Sequence, residues 1–105
     1  MIKDMILVRI YLSEADHGGK RNLLTEIMEI LHDRHKLHGV TVFRGIAGFG
    51  AKGIVHSADL LRLTQRLPLV VEFFDEPAAA EAALAALKDM IPSGHIISWP
   101  VSCRV

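Results

Sequence analysis

The stretch from Arg44 to Gly53 contains the residues of this chain that are best suited to bind an anion. The stretch contains four glycines, with Arg44 before them and Lys52 among them, and it directly follows an apolar segment. Glycine lets another molecule approach the backbone closely. Successive exposed N–H groups in such a loop form a concave anion site, and an Arg or Lys adds positive charge. The stretch therefore predicts a loop that binds phosphate, and a crossover loop without a ligand is the alternative interpretation.

Histidines provide the other candidate ligand contacts. His56 lies beside a predicted short helix and His95 follows a predicted turn, and loops often carry binding groups. A structural role is the alternative for each. Three more histidines, His32, His35 and His38, lie three residues apart on a predicted helix. Each step of three turns about 60° backward, so the first and last lie about 120° apart. The trio therefore predicts a solvated helix face rather than a metal site within one chain.

Length and composition indicate a single domain, residues 1–105, because 105 residues of which 50% are hydrophobic suffice for one core of ordinary size. No apolar run reaches the roughly 18 residues that a membrane span needs. Cys103 is the only cysteine, which excludes an internal disulfide. With no visible signal peptide, we expect a reducing, cytoplasmic location.

The charges balance overall but are unevenly distributed. Twelve Lys and Arg face twelve Asp and Glu, which argues against nucleic-acid binding through a basic surface. Residues 36–66 contain five basic side chains against one Asp, whereas residues 72–89 contain five acidic side chains against one Lys. This asymmetry predicts an anion site, a charge-complementary contact between subunits, or both.

The pattern of apolar residues predicts the element order β-α-β-β-α-β. Period-two alternation indicates strands, and helical spacing with terminal Pro or Gly indicates helices. This order is typical of the ferredoxin-like α+β fold, with two helices on one face of a four-stranded antiparallel sheet and a long loop between the second and third strands. The predicted elements are strands over Met1–Leu12, Gly39–Ile46, Leu69–Asp75 and His95–Val105, a helix over about Lys20–Leu37, a helix that begins at Pro77, and a short loop helix over Ser57–Leu63.

The last predicted strand offers two interpretations of its apolar side chains. Ile97, Trp99 and Val101 alternate in phase, so they share one face of the sheet. That face either lies in the monomer core or is buried where copies of the chain form a closed ring. Pro100 in the same strand predicts an edge or bulge position, because proline cannot donate to a strand ladder.

The glycine stretch and its flanks resemble the PII signalling proteins, and more closely the uncharacterised bacterial PII-like family known as domain of unknown function 190. Gly48-Phe49-Gly50-Ala51-Lys52-Gly53 looks like the base of the PII T-loop. The resemblance covers nearly the whole chain. The residues that carry it are Gly39–Gly50, Ile54–Ser57, Leu63 and Leu67–Glu72.

The resemblance implies a homotrimer with three lateral clefts that bind adenine nucleotides, and a T-loop, here residues 47–66, that changes shape to engage transporters, enzymes or regulators. By family analogy, the partner is a membrane transporter or channel. The residues assigned to a small anionic ligand, including the two before the last strand, are Arg44, Gly45, Gly48, Phe49, Gly50, Lys52, Gly53, His56, Gly94 and His95.

Three departures from the PII pattern concern the ligand and its control. The second phosphate loop of PII proteins is replaced by Ile91–His95, which has one glycine and no lysine. The paired arginines after the last strand are reduced to Arg104, and the T-loop tyrosine is absent, since Tyr11 is the only Tyr. A smaller or less charged nucleotide than MgATP, or none, fits these departures better.

A divalent-metal-responsive trimer, similar to the cation-tolerance proteins of the same fold, is the alternative function. Six histidines and Cys103 motivate it. An enzyme is not expected, because the sequence shows no acid–base pair and no Ser-His-Asp or Cys-His set.

Overall fold

The computed structural model describes residues 1–13, 17–18, 21–35, 37, 39–48 and 67–105. Its main sheet has four strands, in the order Val40–Arg44, Pro68–Asp75, Ile2–Ser13 and Ile96–Arg104, and every neighbouring pair is antiparallel. This arrangement confirms the predicted ferredoxin-like α+β fold. The elements are β1 (Ile2–Ser13), β2 (His17–Gly18), β3 (Arg21–Asn22), α1 (Leu23–Glu29) continued by a π-helical turn (Ile30–Arg34), β4 (Val40–Arg44), β5 (Pro68–Asp75), α2 (Pro77–Leu87) and β6 (Ile96–Arg104).

Alternation in the two central strands builds the core. Val8 and Ile10 of β1 pair with Phe73 and Val71 of β5, and all four are buried. Because paired residues lie on the same face of a sheet, they form one apolar surface on the side that the helices cover. The helices contribute the buried residues Leu23, Ile27, Ile30, Leu31, Ala80, Ala83 and Leu87.

Two of the three buried residues of helix α2 are alanines, which allow close packing on the sheet. Ala80 and Ala83 are completely buried, and the helix begins at Pro77 as predicted. Proline is well suited to the first helical turn, where its missing N–H costs no hydrogen bond.

The first helix differs from its prediction of about Lys20–Leu37. It begins at Leu23, because Asn22 is extended in a short ladder with His17 and its side chain accepts the Leu24 N–H at 2.8 Å. Asparagine is a favoured helix N-cap. Residues His17–Gly18, which precede the predicted helix, form the other strand of this ladder. After Glu29 the helix widens into the π turn, in which the His35 N–H donates to the Ile30 carbonyl oxygen.

The strand predictions are confirmed to within one or two residues at most ends. The strand predicted over Gly39–Ile46 is β4, and the strand predicted over His95–Val105 is β6. Pro100 lies in β6, at the edge of the sheet, as its missing donor requires. The predicted loop helix over Ser57–Leu63 lies outside the described residues. None of the described helices has the length and apolarity needed to cross a membrane.

Trp99 does not lie in the monomer core. It pairs with Leu7 and is 38% exposed, on the sheet face opposite the helices. The interpretation that placed this side chain in the core is therefore wrong for the single chain.

Candidate functional site

The described candidate residues lie at the same end of the sheet. Arg44 ends β4 and Pro68 begins β5, while Ser13 ends β1 and Ile96 begins β6. Antiparallel pairing places these four ends together: Ser13 is opposite Pro68, and the Tyr11 N–H donates to the His95 carbonyl oxygen at 2.8 Å.

The predicted residues form two groups at this end of the sheet rather than one cluster. Arg44, Gly45 and Gly48 follow the outer strand β4, whereas Gly94 and His95 precede the other outer strand, β6. Two strands separate β4 from β6, which corresponds to about 14 Å at about 4.8 Å per strand. No side chain spans that gap, so one compact anion cannot contact both groups of a chain.

The start of the glycine stretch is packed against Pro68. The Gly45 N–H donates to the Pro68 carbonyl oxygen at 2.8 Å. A Cβ built on Gly45 would lie 2.5 Å from Cγ of Pro68, and one on Gly48 would lie 3.0 Å from the same atom. A Cβ therefore has no room at Gly45 and little at Gly48. This packing role of the glycines was not predicted from the sequence. Arg44 is exposed beside them.

The turn before β6 holds His95 in a defined tautomer. Its Nδ1 lies 2.9 Å from the Tyr11 carbonyl oxygen. A carbonyl only accepts, so Nδ1 carries the hydrogen, and in the neutral ring Nε2 is left as an acceptor. Gly94 has φ of 86°, a conformation that favours glycine. The sequence predicted this turn, but the tautomer depends on the pairing of β1 with β6.

A groove of about 570 Å³ adjoins this turn on the helix side. Leu84, Ile91 and Ile96 provide apolar walls, and Glu81 and Lys88 add one charge of each sign. Sequence reasoning missed this groove, apart from Gly94, because it forms only when the end of α2 packs beside β6. The groove is open to solvent, and its lining is mainly apolar.

A charged pair on the sheet face opposite the helices was also missed by sequence reasoning. Nε of Arg9 donates to Oε1 of Glu72 at 2.8 Å, and the Arg9 guanidinium lies 5.8 Å from the centre of the Trp99 ring. The hydrogen bond to Glu72, followed by one to Tyr11, raises the pKa of Arg9 above its usual value. The sequence signal was the period-two phase of β1, but only the register places Glu72 opposite Arg9.

Five assigned residues cannot be placed in this geometry. Phe49, Gly50, Lys52, Gly53 and His56 lie outside the described residues. Their role in binding stays a prediction.

The metal alternative receives no support from the described part of the chain. There, no three His, Cys, Asp or Glu side chains converge as a metal site would require. Nδ1 of His32 contacts Oδ1 of its neighbour Asp33 at 2.8 Å, and both side chains are mostly exposed. His38 of the predicted trio lies outside the described residues.

Comparisons with known proteins agree with this geometry. A model of the DUF190 family, described as Uncharacterized ACR, matches residues 5–103. A UPF0166 protein of Methanocaldococcus jannaschii is 35% identical over 97 residues, which are 92% of this chain and 87% of the relative.

Solved structures show the same fold at low sequence identity. CPII from Thiomonas intermedia K12, a nitrogen regulatory PII-like protein bound to ADP, AMP and bicarbonate, matches with a TM-score of 0.65 at 14% identity over 99% of each chain. CPII bound to ADP and bicarbonate gives 0.62 at 15% identity, covering 98% of this chain and 91% of that one. The resemblance inferred from the glycine stretch is thus confirmed: the chain belongs to the DUF190 family, and its fold is that of the PII-like proteins.

Proposed function

We propose that this protein is a PII-like regulator that binds an adenine nucleotide at clefts between the subunits of a homotrimer and signals through residues 47–66. One observation carries the proposal. The strand ends gather Arg44 and the start of the glycine stretch at the same end of the sheet as Gly94 and His95. The relatives add support, since CPII is bound to ADP and AMP.

The separation of the two groups favours a ligand with two different ends. A nucleotide carries phosphate at one end and a base at the other. Arg44 and the backbone N–H groups of the glycine stretch after Gly45 suit the phosphate. At the other outer strand, Nε2 of His95 is an acceptor for the amino group of adenine, which is a hydrogen-bond donor. The apolar groove beside Gly94 provides a surface for the ring.

We expect ADP or AMP to bind more tightly than MgATP. The turn before β6, residues 91–95, contains one glycine and no lysine. A triphosphate would therefore lack the second set of hydrogen-bond donors that the PII pattern has at that position.

Isothermal titration calorimetry with AMP, ADP and MgATP tests the proposal. Replacing Lys52 by Ala should weaken binding by about 1.5–3 kcal/mol if its ammonium makes a charge-assisted hydrogen bond to phosphate. Lys3→Ala is the matched control, because Lys3 lies at the opposite end of β1. Absence of binding by all three nucleotides would refute the nucleotide assignment. Equal affinities for the Lys52 and Lys3 variants would place the phosphate elsewhere.

The assignment includes no catalysed reaction. The regulated partner that we infer from the family analogy is a membrane transporter or channel, which the protein would engage from the cytoplasm. Co-purification of such a partner in the absence of nucleotide, and its release on addition of ADP, would support signalling through residues 47–66.

A further inference from the structure

The π turn after α1 presents an exposed pair of side chains that the proposed function does not use. His32 and Asp33 are adjacent in the chain, and their side chains are 84% and 66% exposed. Nδ1 of His32 lies 2.8 Å from Oδ1 of Asp33. A carboxylate only accepts hydrogen bonds, so Nδ1 carries the hydrogen and Nε2 of the neutral ring keeps its lone pair. The pair therefore combines a nitrogen that can act as a nucleophile with free access from solvent.

The local backbone explains why these two neighbouring side chains meet. In an α-helix, adjacent side chains do not face each other. The π turn, Ile30–Arg34, has more residues per turn, so neighbouring side chains diverge less. The turn is held in place because Ile30 and Leu31 are buried in the core, and the Leu37 N–H donates to the Leu31 carbonyl oxygen at 3.2 Å. The pair thus depends on the widened turn, and such turns are frequent at functional sites.

The arrangement of the pair favours attack by Nε2 on an electrophile. When Nε2 forms a bond, the ring becomes an imidazolium, and the Asp33 carboxylate stabilises that charge, as the carboxylate of a Ser-His-Asp triad does. The helix end acts in the same direction, because cations are stabilised at helix C-termini and His32 lies in the last turn. Neither α1 nor the π turn contains Ser or Cys. The ring itself, rather than a hydroxyl or thiol that it activates, is therefore the nucleophile.

A phosphoryl group is the electrophile that these surroundings suit best. Arg34, the next residue, is exposed, and guanidinium groups bind phosphate oxygens through charge-assisted hydrogen bonds. Residues 34–38 contain two basic side chains and two histidines without an acid. A metal ion is the other partner that a carboxylate-bound histidine often takes, but within the described residues no three ligating side chains converge.

We propose that His32 accepts a phosphoryl group on Nε2 and that Asp33 is the positioning residue for this transfer. The donor is a compound that carries phosphate on nitrogen, such as phosphoramidate or the phosphohistidine of another protein. The Nε2 lone pair forms a bond to phosphorus as the P–N bond of the donor breaks. From phosphoramidate, whose nitrogen is protonated, the leaving group departs with the bonding electron pair as ammonia. The Nδ1 hydrogen stays between His32 and Asp33, and the phosphoryl group is a covalent signal on the helix side, separate from nucleotide binding.

His95 provides a matched control within the same molecule. Its Nδ1 donates to the Tyr11 carbonyl oxygen, so its Nε2 is likewise the acceptor, but the group that holds its ring is uncharged. Phosphoramidate labelling of the nucleotide-free protein, followed by phosphorus NMR and by mass spectrometry of its peptides, measures the rate at each histidine. We expect His32 to react about tenfold faster than His95, because a hydrogen bond to a charged acceptor is about twice as strong as one to a neutral acceptor.

Variants of Asp33 separate the effect of the carboxylate from that of exposure. Asp33→Asn keeps an acceptor for the Nδ1 hydrogen but removes the charge, so labelling of His32 should fall about tenfold while labelling of His95 is unchanged. Asp33→Ala also releases Nδ1, so the phosphoryl group should appear on both ring nitrogens of His32 instead of on Nε2 alone. Phosphorus NMR distinguishes the two products, and circular dichroism verifies that each variant is folded.

Four results would overturn the inference. They are the absence of label on His32, a rate at His32 no higher than at His95, an unchanged rate at His32 in D33N, and a phosphoryl group on Nδ1 of His32 in the wild type. Calorimetry with ADP on the unlabelled protein tests the nucleotide site separately. Failure to bind ADP refutes only the nucleotide site, and failure of His32 to react refutes only this inference.

Discussion

Replacing Gly45 by Ala should destabilise the protein, because the added methyl group has no room. Its carbon would lie 2.5 Å from Cγ of Pro68 and 3.3 Å from Cδ. The proline ring cannot rotate away as a long side chain would, and the Pro68 carbonyl oxygen is held by the Gly45 N–H at 2.8 Å. The clash must therefore be relieved by separating the end of β4 from the start of β5.

The expected loss is about 1–3 kcal/mol, the usual cost of inserting one methylene-sized group into a packed site. For a domain of about 100 residues, each 1 kcal/mol lowers Tm by roughly 4–8 °C. Urea and thermal unfolding at equal protein concentrations measure the effect, since association makes Tm depend on concentration.

The chain provides a matched control at Gly39. A Cβ built there meets no atom within 4 Å, so Gly39→Ala should be neutral or stabilise by about 0.4–1 kcal/mol through the unfolded chain. Gly48→Ala, with its contact at 3.0 Å, should fall between the two. If the Gly45 and Gly39 variants unfold at the same denaturant concentration, the packing of the glycine stretch on Pro68 does not determine this part of the structure.

Four further predictions test other parts of the molecule. Gly94→Ala should cost about 1–2 kcal/mol in urea unfolding, because the φ of 86° is unfavourable for alanine; no change would mean that the turn can relax. Asn22→Ala should cost about 1 kcal/mol, with a matching loss of helical circular dichroism, by removing the cap of α1. Leu87→Ala should cost about 2–5 kcal/mol, since this side chain is completely buried; a loss below 1 kcal/mol would show that α2 repacks. The hydrogen bond with Glu76, and then its charge, raise the pKa of Lys3 above 10.5; the resulting stabilisation is complete below pH 10.5 and is lost as pH rises through the pKa of the folded state. Wild type should therefore lose more stability than Lys3→Met over that alkaline range, and parallel pH curves would contradict this.

The core could be predicted from the sequence because apolar side chains alternate along the strands with a period of two residues. Val8 and Ile10 alternate with Arg9 in β1, and this pattern alone indicates one covered and one open face. The two ends of the first helix were less predictable. They depend on the Asn22 cap and on the hydrogen bonds of the π turn, which a 3.6-residue repeat of apolar side chains does not indicate.

The candidate site could be predicted only in part. The glycine stretch and the turn at Gly94 are marked by residue type, but their separation depends on β4 and β6 being the two outer strands. Alternation likewise shows that Ile97 and Trp99 share a face without indicating which one. That choice is made by pairing with Arg9 and Leu7 of β1.

The methyl groups of Ala80 and Ala83 limit the distance between α2 and the sheet. Ala80 and Ala83 are fully enclosed, so an isoleucine at either position would lift the helix from the sheet. One wall of the groove that ends at Gly94 belongs to this helix and would move with it. If the proposed nucleotide lies in this groove, residues that do not contact it would then alter its fit, and variants with changed nucleotide preference are expected at these two alanines as well as along the groove.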